Sequence, residues 1–267
     1  MVLTDIRVVD SVTQLAADAA PSVVVAASHG GAYAGYLAAR AGVRGVILND
    51  AGVGKEAAGV ATLPAFDEHG TPAATVHHDS ARIGDGADTV RSGQLSRVND
   101  AAAALGCAVG DSTLDAAERM RDADPAPSPE PRSPGRFELD DGDPAVWGMD
   151  SLSLIRPEDD GRIAITASHG ARLAGERESY IAGDVAGAVF NDAGGGKEGA
   201  GRSRLPFLDE RGIPAATVAH DSARIGDARS TWTDGVVSAV NDAAAARGGS
   251  VGMDCRAFVA ALQETID

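Results

Sequence analysis

Among the residues that could do chemistry, two lysines come first. The chain holds 21 arginines but only Lys55 and Lys197, and these sit in matching contexts, Gly52-Val53-Gly54-Lys55-Glu56 and Gly194-Gly195-Gly196-Lys197-Glu198. Where arginine stands everywhere else, a retained ammonium suits work that a guanidinium cannot do. It can serve as a base whose pKa drops on burial, as a Schiff-base amine or as a compact anchor for an anion. The plain alternative is a surface lysine over a helix N-terminus. Further polar residues recur in matched sets. Ser28-His29-Gly30 pairs with Ser168-His169-Gly170, and Asn49-Asp50-Ala51-Gly52 with Asn191-Asp192-Ala193-Gly194. The third set, His78-Asp79-Ser80-Ala81-Arg82-Ile83-Gly84-Asp85, pairs with His220-Asp221-Ser222-Ala223-Arg224-Ile225-Gly226-Asp227.

These types suggest roles. His29, His169, His78 and His220 are candidate general acids and bases. Ser28, Ser168, Ser80 and Ser222 are candidate nucleophiles or positioners, since a neighbouring lysine or histidine can take the hydroxyl proton. Ser28-His29-Gly30-Gly31 reads as an oxyanion-type loop with glycine amides turned to a developing negative charge. The planar forks of Arg82 and Arg224 suit a substrate carboxylate or carbonyl. Asp85 and Asp227 could orient them, with Gly30, Gly170, Asn49, Asn191, Asp50, Asp192, Gly52, Gly194, Glu56 and Glu198 lining the same substrate site. Against this, Asp79 and Ser80 suit helix capping equally well.

Other chemistries fit less well. The Gly-rich turn ending in lysine lacks the leading glycine of a phosphate-binding loop, where Asn49 stands, and Glu56 replaces the Ser or Thr after the lysine. A small anion or carboxylate at that turn remains reasonable. His29, Asp50, His78 and Asp79 could gather around a divalent metal, but no HExxH or paired-cysteine spacing exists. The expectation is therefore no metal and no cofactor. His77 aligns with Ala219 and His69 with Arg211, outside the repeated set. Cys107 aligns with Gly249 and Cys255 with Thr113, which disfavours the two-cysteine arrangement of amino-acid racemases. Tyr33 has no counterpart and marks asymmetry between the copies.

The matched sets belong to a duplication of the whole chain. Val23–Gly30 matches Ile163–Gly170 at an offset of 140, and from Asn49 the offset becomes 142. Between Asn49–Asp85 and Asn191–Asp227, 27 of 37 positions are identical. Asp10-Ser11 also pairs with Asp150-Ser151, and Val98-Asn99-Asp100 with Val240-Asn241-Asp242. Similarity peaks at the polar loops and falls in the segments Ala32–Arg44 and Arg172–Ala186, which points to a functional rim rather than to fold alone. Tandem units that each supply a serine and a lysine are similar in logic to the ring-opening amidohydrolases of the cyanuric acid and barbiturate type. Those enzymes have three units, no motif of theirs matches here, and no residue role is carried over.

Strands alternating with helices must position the loops. Strands are expected over Ser22–Ala27, Val43–Leu48 and Ala73–Val76, with helices around Leu63–His69, Leu95–Leu105 and Thr113–Arg121. This gives two tandem homologous Rossmann-like α/β units of three strands, doubly wound, with helices on both faces and pseudo-two-fold packing. The expected division is 1–121 for the first repeat, 122–136 for a Pro-rich linker and 137–267 for the second repeat.

Composition narrows the partners. The 267 residues are 44% hydrophobic and carry a net charge of −16, with only two Trp, three Tyr and five Phe. So acidic and aromatic-poor a chain repels phosphate backbones and anionic lipid and lacks stacking platforms, so no nucleic-acid or membrane partner is expected. No apolar run is long enough to span a bilayer, Met1–Arg7 has no signal-peptide character, and two cysteines set up no disulfide framework. The expectation is a cytoplasmic enzyme with a small-molecule substrate, free to form a homo-oligomer. Hydrolysis of a non-peptide C–N bond, in an amide or cyclic imide, leads the reaction classes. A lyase or isomerase, a metal-dependent hydrolase, and a non-catalytic module binding a small anion or nucleotide are the alternatives.

Overall fold

The computed structural model describes residues 5–16, 21–127, 134–175 and 181–264. Valine-rich runs bounded by Gly, Asn and Asp become strands, because β-branched side chains pack well on a pleated surface. The first sheet holds β1 (Ile6–Val9), β2 (Val23–His29), β3 (Gly45–Asn49), β4 (Ala73–Val76) and β5 (Leu95–Val98), hydrogen-bonded in that order. The first four run parallel, and β5 returns antiparallel to β4. The second sheet is built from β6 (Arg136–Asp140), β7 (Val146–Met149), β8 (Ile163–His169), β9 (Gly187–Asn191), β10 (Ala215–Val218) and β11 (Val237–Val240). Its order is β11-β10-β9-β8-β7-β6, with antiparallel edges at β11 and β6 and parallel pairs between. Strand pairing repeats between the sheets down to the irregularities. Val23 lies opposite Gly45 as Ile163 lies opposite Gly187, and the register shifts at Thr75/Val76 as at Thr217/Val218.

Both faces of each sheet are covered, which is why the central strands read as near-continuous apolar runs. Alternate residues of β2 point to opposite sides. Val24 and Ala26 pack with α1 (Ala32–Arg40) and α2 (Thr62–Asp67), while Val23 and Val25 pack with Leu95 and with α5 (Thr113–Arg119). Between these last two helices lie α3 (Gly86–Ser92) and α4 (Asp100–Ala104). In the second half, α6 (Leu205–Glu210) covers one face and α9 (Cys255–Glu264) the other, with α7 (Ala228–Asp234) and α8 (Asp242–Ala245) between them in sequence. Among the described residues no helix is long and apolar enough to cross a membrane.

Several expectations are corrected. The three strands per unit become five and six, because short segments such as Ile6–Val9 and Leu95–Val98 extend the sheet edges. The helix expected over Leu95–Leu105 divides: Leu95–Val98 is strand, and Asn99 Oδ1 accepts the Ala102 N–H to start a helix only at Asp100. The parallel strands are also not doubly wound. Their order advances β1 to β4 without reversal, so there is no switch point, and α1 and α2 pack together on one face. Arg136, the last residue of the expected linker, already belongs to β6, and the Ala126 N–H bonds back to the Val43 carbonyl at 2.7 Å. Linker residues 128–133, residues 1–4 and residues 176–180 of the second copy lie outside the described residues.

The loops after β3 and β9 have an uncommon backbone. Ala51, Gly52, Val53, Gly54, Glu56 and Ala57 all have φ between +49° and +75°, and Ala193 to Glu198 repeat the pattern with three consecutive glycines. A side chain there costs about 1 kcal/mol. Ala57 is exposed at φ +57°, and its counterpart is Gly199 at φ +70°. Ala57→Gly therefore gives a chain about 0.5 kcal/mol more stable, once the extra freedom of the unfolded glycine is counted; urea unfolding measures it.

Candidate functional site: a histidine cleft and the junction that builds it

β2 and β8 end in Ser28-His29 and Ser168-His169, and at both ends the register slips before the histidine. The two strand ends face each other. The imidazoles of His29 and His169 lie 6.4 Å apart, centre to centre, at 78°. They line one cavity of about 50 Å³ together with Ser11, Ser28, Tyr33, Asp150, Ser151 and Ser168. That is room for a few waters or the polar part of a small ligand.

Local bonds fix the state of both rings. His29 Nδ1 accepts the Gly31 N–H at 3.1 Å, and His169 Nδ1 accepts the Ala171 N–H at 3.3 Å. A backbone amide can only donate, so each neutral ring carries its proton on Nε2. Among the described residues no hydrogen bond is made by either Nε2. Burial pushes His29 down to about 4. Burial above all, with the nearby His29 ring and the Arg204 charge, pushes His169 well below the usual range. Both are therefore neutral N–H donors at neutral pH.

Asp–His pairs form at the ends of β4 and β10. His78 Nδ1 lies 2.9 Å from Asp50 Oδ1, which also accepts the His78 and Gly52 amides. His220 Nδ1 stands 3.3 Å from Asp192 Oδ1 in a looser pairing. The carboxylate partner raises the pKa of each histidine, outweighing burial. The four histidines give opposite pH dependences. A lowered His pKa means that the unfolded chain takes up the proton first, so His29 removes up to about 3 kcal/mol as pH falls from 6.5 to 4. The raised His78 and His220 stabilise fully below 6.5, and that part is lost as pH rises through their folded values. Unfolding free energy thus peaks near pH 6.5, and His29→Gln makes the acid side shallower, with His169 keeping the remaining slope; urea titrations at pH 5, 6.5 and 8 measure both.

The lysines, arginines and glutamates of the repeated loops hold the two halves together. Lys55 Nζ pairs with Asp234 at 2.9 Å, and Lys197 Nζ reaches both oxygens of Asp88 at 3.0 Å. Arg82 binds Asp85 beside it and Glu198 across the junction, while Arg224 binds Asp227 and Glu56 in the same way. The Lys55 N–H donates to the His220 carbonyl, and the Lys197 N–H to that of His78. Beneath these contacts, Ala51 and Ile83 pack with Ala171, Ala193, Ala200 and Ile225. Among the described residues, no lysine lies within hydrogen-bond reach of Ser28, His29, Ser80 or His78.

Other members of the repeated sets shape turns. Buried Asn49 bonds the Ala81 carbonyl and the Ala51 amide, and Asn191 does the same with Ala223 and Ala193. Ser80 Oγ donates to the His77 carbonyl and Ser222 Oγ to that of Ala219. Ser28 Oγ accepts the Val12 amide at 3.0 Å and Ser168 Oγ the Leu152 amide at 2.8 Å. The oxyanion reading of the Ser28–Gly31 loop is corrected. The Gly30 amide is bonded to the Asn49 carbonyl and the Gly31 amide to His29, and the Gly170 amide is likewise bonded to Asn191. Gly30 and Gly170 instead allow close packing, since a Cβ on either would lie 2.6 Å from the carbonyl oxygen of Gly59 or Gly201.

Sequence reasoning passed over Asp88, Asp234, Ser11, Ser151, Asp150 and His77 as site residues. The signal for the first two lies in the alignment: Asp88 and Ser92 of one helix correspond to Ser230 and Asp234 of the other. One carboxylate is kept, moved by one helical turn. The chain matches no protein family, no curated protein and no solved structure.

Proposed function

We propose that the chain is an enzyme acting on a small polar, carbonyl-containing molecule at one composite site shared by the two halves. The observation that carries this is the facing pair His29 and His169, each with Nδ1 occupied by its own loop and Nε2–H left for a ligand. Two neutral imidazole N–H donors can hydrogen-bond a carbonyl oxygen and stabilise the negative charge that develops on it, while the proton needed by a leaving nitrogen comes from the attacking water. Hydrolysis of an amide or cyclic imide C–N bond is the reaction we assign first, and a lyase or isomerase would use the same groups. The ring of hydroxyls around the cleft suits a substrate with several polar edges. In this proposal the lysines act through the junction, holding the rims in place, rather than at the reacting atoms.

The proposal includes the architecture. Two tandem Rossmann-like units, 1–121 and 137–267 joined by 122–136, pack about a pseudo-two-fold axis. Support comes from the repeated strand registers and the reciprocal Lys–Asp and Arg–Glu contacts. Cytoplasmic residence and further homo-oligomerisation stay part of the proposal. A second reading, binding without turnover, is favoured by one observation: among the described residues no serine is hydrogen-bonded to a histidine or lysine that could activate it.

The test is a panel of small amides, imides and carboxylates, followed by product release and by thermal shift. Turnover that falls at least a hundredfold in both His29→Gln and His169→Gln is the expected result. Thermal stabilisation without product, lost in both variants, would move the site to the binding reading. Turnover or binding untouched by either variant would place the site elsewhere.

A further inference from the structure

We propose that Asp50, His77 and His78 form a site for one divalent transition-metal ion, present in the first half of the chain and missing from the second. One donor atom from each of the three lies within 4.8 Å of the others. The imidazoles of His77 and His78 stack 4.5 Å apart with planes inclined by 21°, so the exposed His77 ring must turn to aim both lone pairs at one ion. Asp50 is a rigid anchor: its carboxylate is buried and held by the amides of Gly52 and His78. His77 Nδ1 accepts the Asp79 amide at 3.2 Å, a bond kept only if the ring ligates through Nε2. The Asp79 carboxylate stands 3.7 Å from His78 Nε2 and 4.0 Å from His77 Nδ1. Two carboxylates beside two imidazoles balance a 2+ charge.

Two nitrogens with carboxylate oxygen select Zn²⁺, Co²⁺ or Ni²⁺ over Ca²⁺ and Mg²⁺, which take oxygen sets. His77 is half exposed and Asp79 more so, leaving a coordination position for water. The second half repeats Asp192, His220 and Asp221 but has Ala219 where His77 stands, so it lacks the third donor. The duplication thus contains its own control. This site is separate from the His29–His169 cleft and does not rest on the proposed reaction.

The experiment is Zn²⁺ titration of the tag-free full chain by calorimetry, with Co²⁺ absorption as a second readout of coordination. One Zn²⁺ per chain is expected, with affinity falling at least tenfold in His77→Ala and the stoichiometry rising to two in Ala219→His. Circular dichroism checks that each variant is folded, and His69→Ala, distant from the donors, should leave binding unchanged. No saturable Zn²⁺ binding in the wild-type chain, two sites in it, binding within twofold of wild type in His77→Ala, or a folded Ala219→His chain that still takes one ion would each overturn the assignment.

Discussion

Replacing Asp88 by serine should lower the unfolding free energy by about 3 kcal/mol, and adding Ser92→Asp should restore most of it. Asp88 is fully buried and accepts the Arg82 amide, both bonds from Lys197 Nζ and one from Arg91. Burial alone would raise its pKa, but those hydrogen bonds together outweigh burial and hold it down to about 2. Removing a buried ion-pair partner is costly because the remaining charge keeps its desolvation without its attraction. The second half shows the repair. There Ser230 Oγ accepts the Arg224 amide at 3.0 Å and donates to Asp234, whose carboxylate meets Lys55. The double variant D88S/S92D copies that arrangement, so a serine takes the amide at 88 and a carboxylate one turn later takes the lysine. Chemical unfolding of the single and double variants measures the coupling, with at least 2 kcal/mol regained. Equal loss in both would show that the lysine contact carries little. The pH dependence has a definite sign: the depressed Asp88 stabilises fully above about pH 4, and that part is lost as pH falls through 2.

Gly52→Ala should cost about 3 kcal/mol and separate the two halves, and Gly194→Ala should do the same. A Cβ on Gly52 would lie 2.6 Å from His220 Cδ2 and 2.9 Å from the Gly194 Cα. The latter is backbone and cannot swing away. Gly52 also has φ +75°, which adds about 1 kcal/mol for any L side chain. Gly110 separates the two causes, having φ +91° with no atom within 4 Å of an added Cβ. Gly110→Ala should show the backbone cost alone, about 1 kcal/mol, so the excess at Gly52 reports the close approach of the halves. Equal losses at the two glycines would remove the junction from the explanation.

The sequence made some of this legible and hid the rest for identifiable reasons. β-Branched runs mark β2, and the Ala73–Val76 pattern coincides with β4, because buried parallel strands carry a dense local signal. Leu95–Val98 looked helical because the alanines after it dominate the window, and only the Asn99 cap separates strand from helix. The polar loops were recognised as repeated, yet repetition alone does not separate a substrate rim from a surface that meets its own copy. In a two-fold arrangement the same loop must fit its counterpart, so Lys55, Glu56, Arg82 and Gly52 would be retained as a set for that purpose. Ser28-His29 was visible as a pair. Its meeting with Ser168-His169 depends on how the halves dock, which no local pattern encodes.

The central claim, one cleft shared by two neutral imidazoles, is tested most directly by NMR of histidine-labelled protein across pH, with His29→Gln and His169→Gln assigning the signals. Both rings should remain neutral and protonated on Nε2 from pH 8 to about 5, with His29 taking a proton only near 4. Each single variant should also shift the other ring's signal, as expected of imidazoles 6.4 Å apart. Two rings that titrate independently near 6.5, the value of a solvated histidine, would contradict the shared cleft.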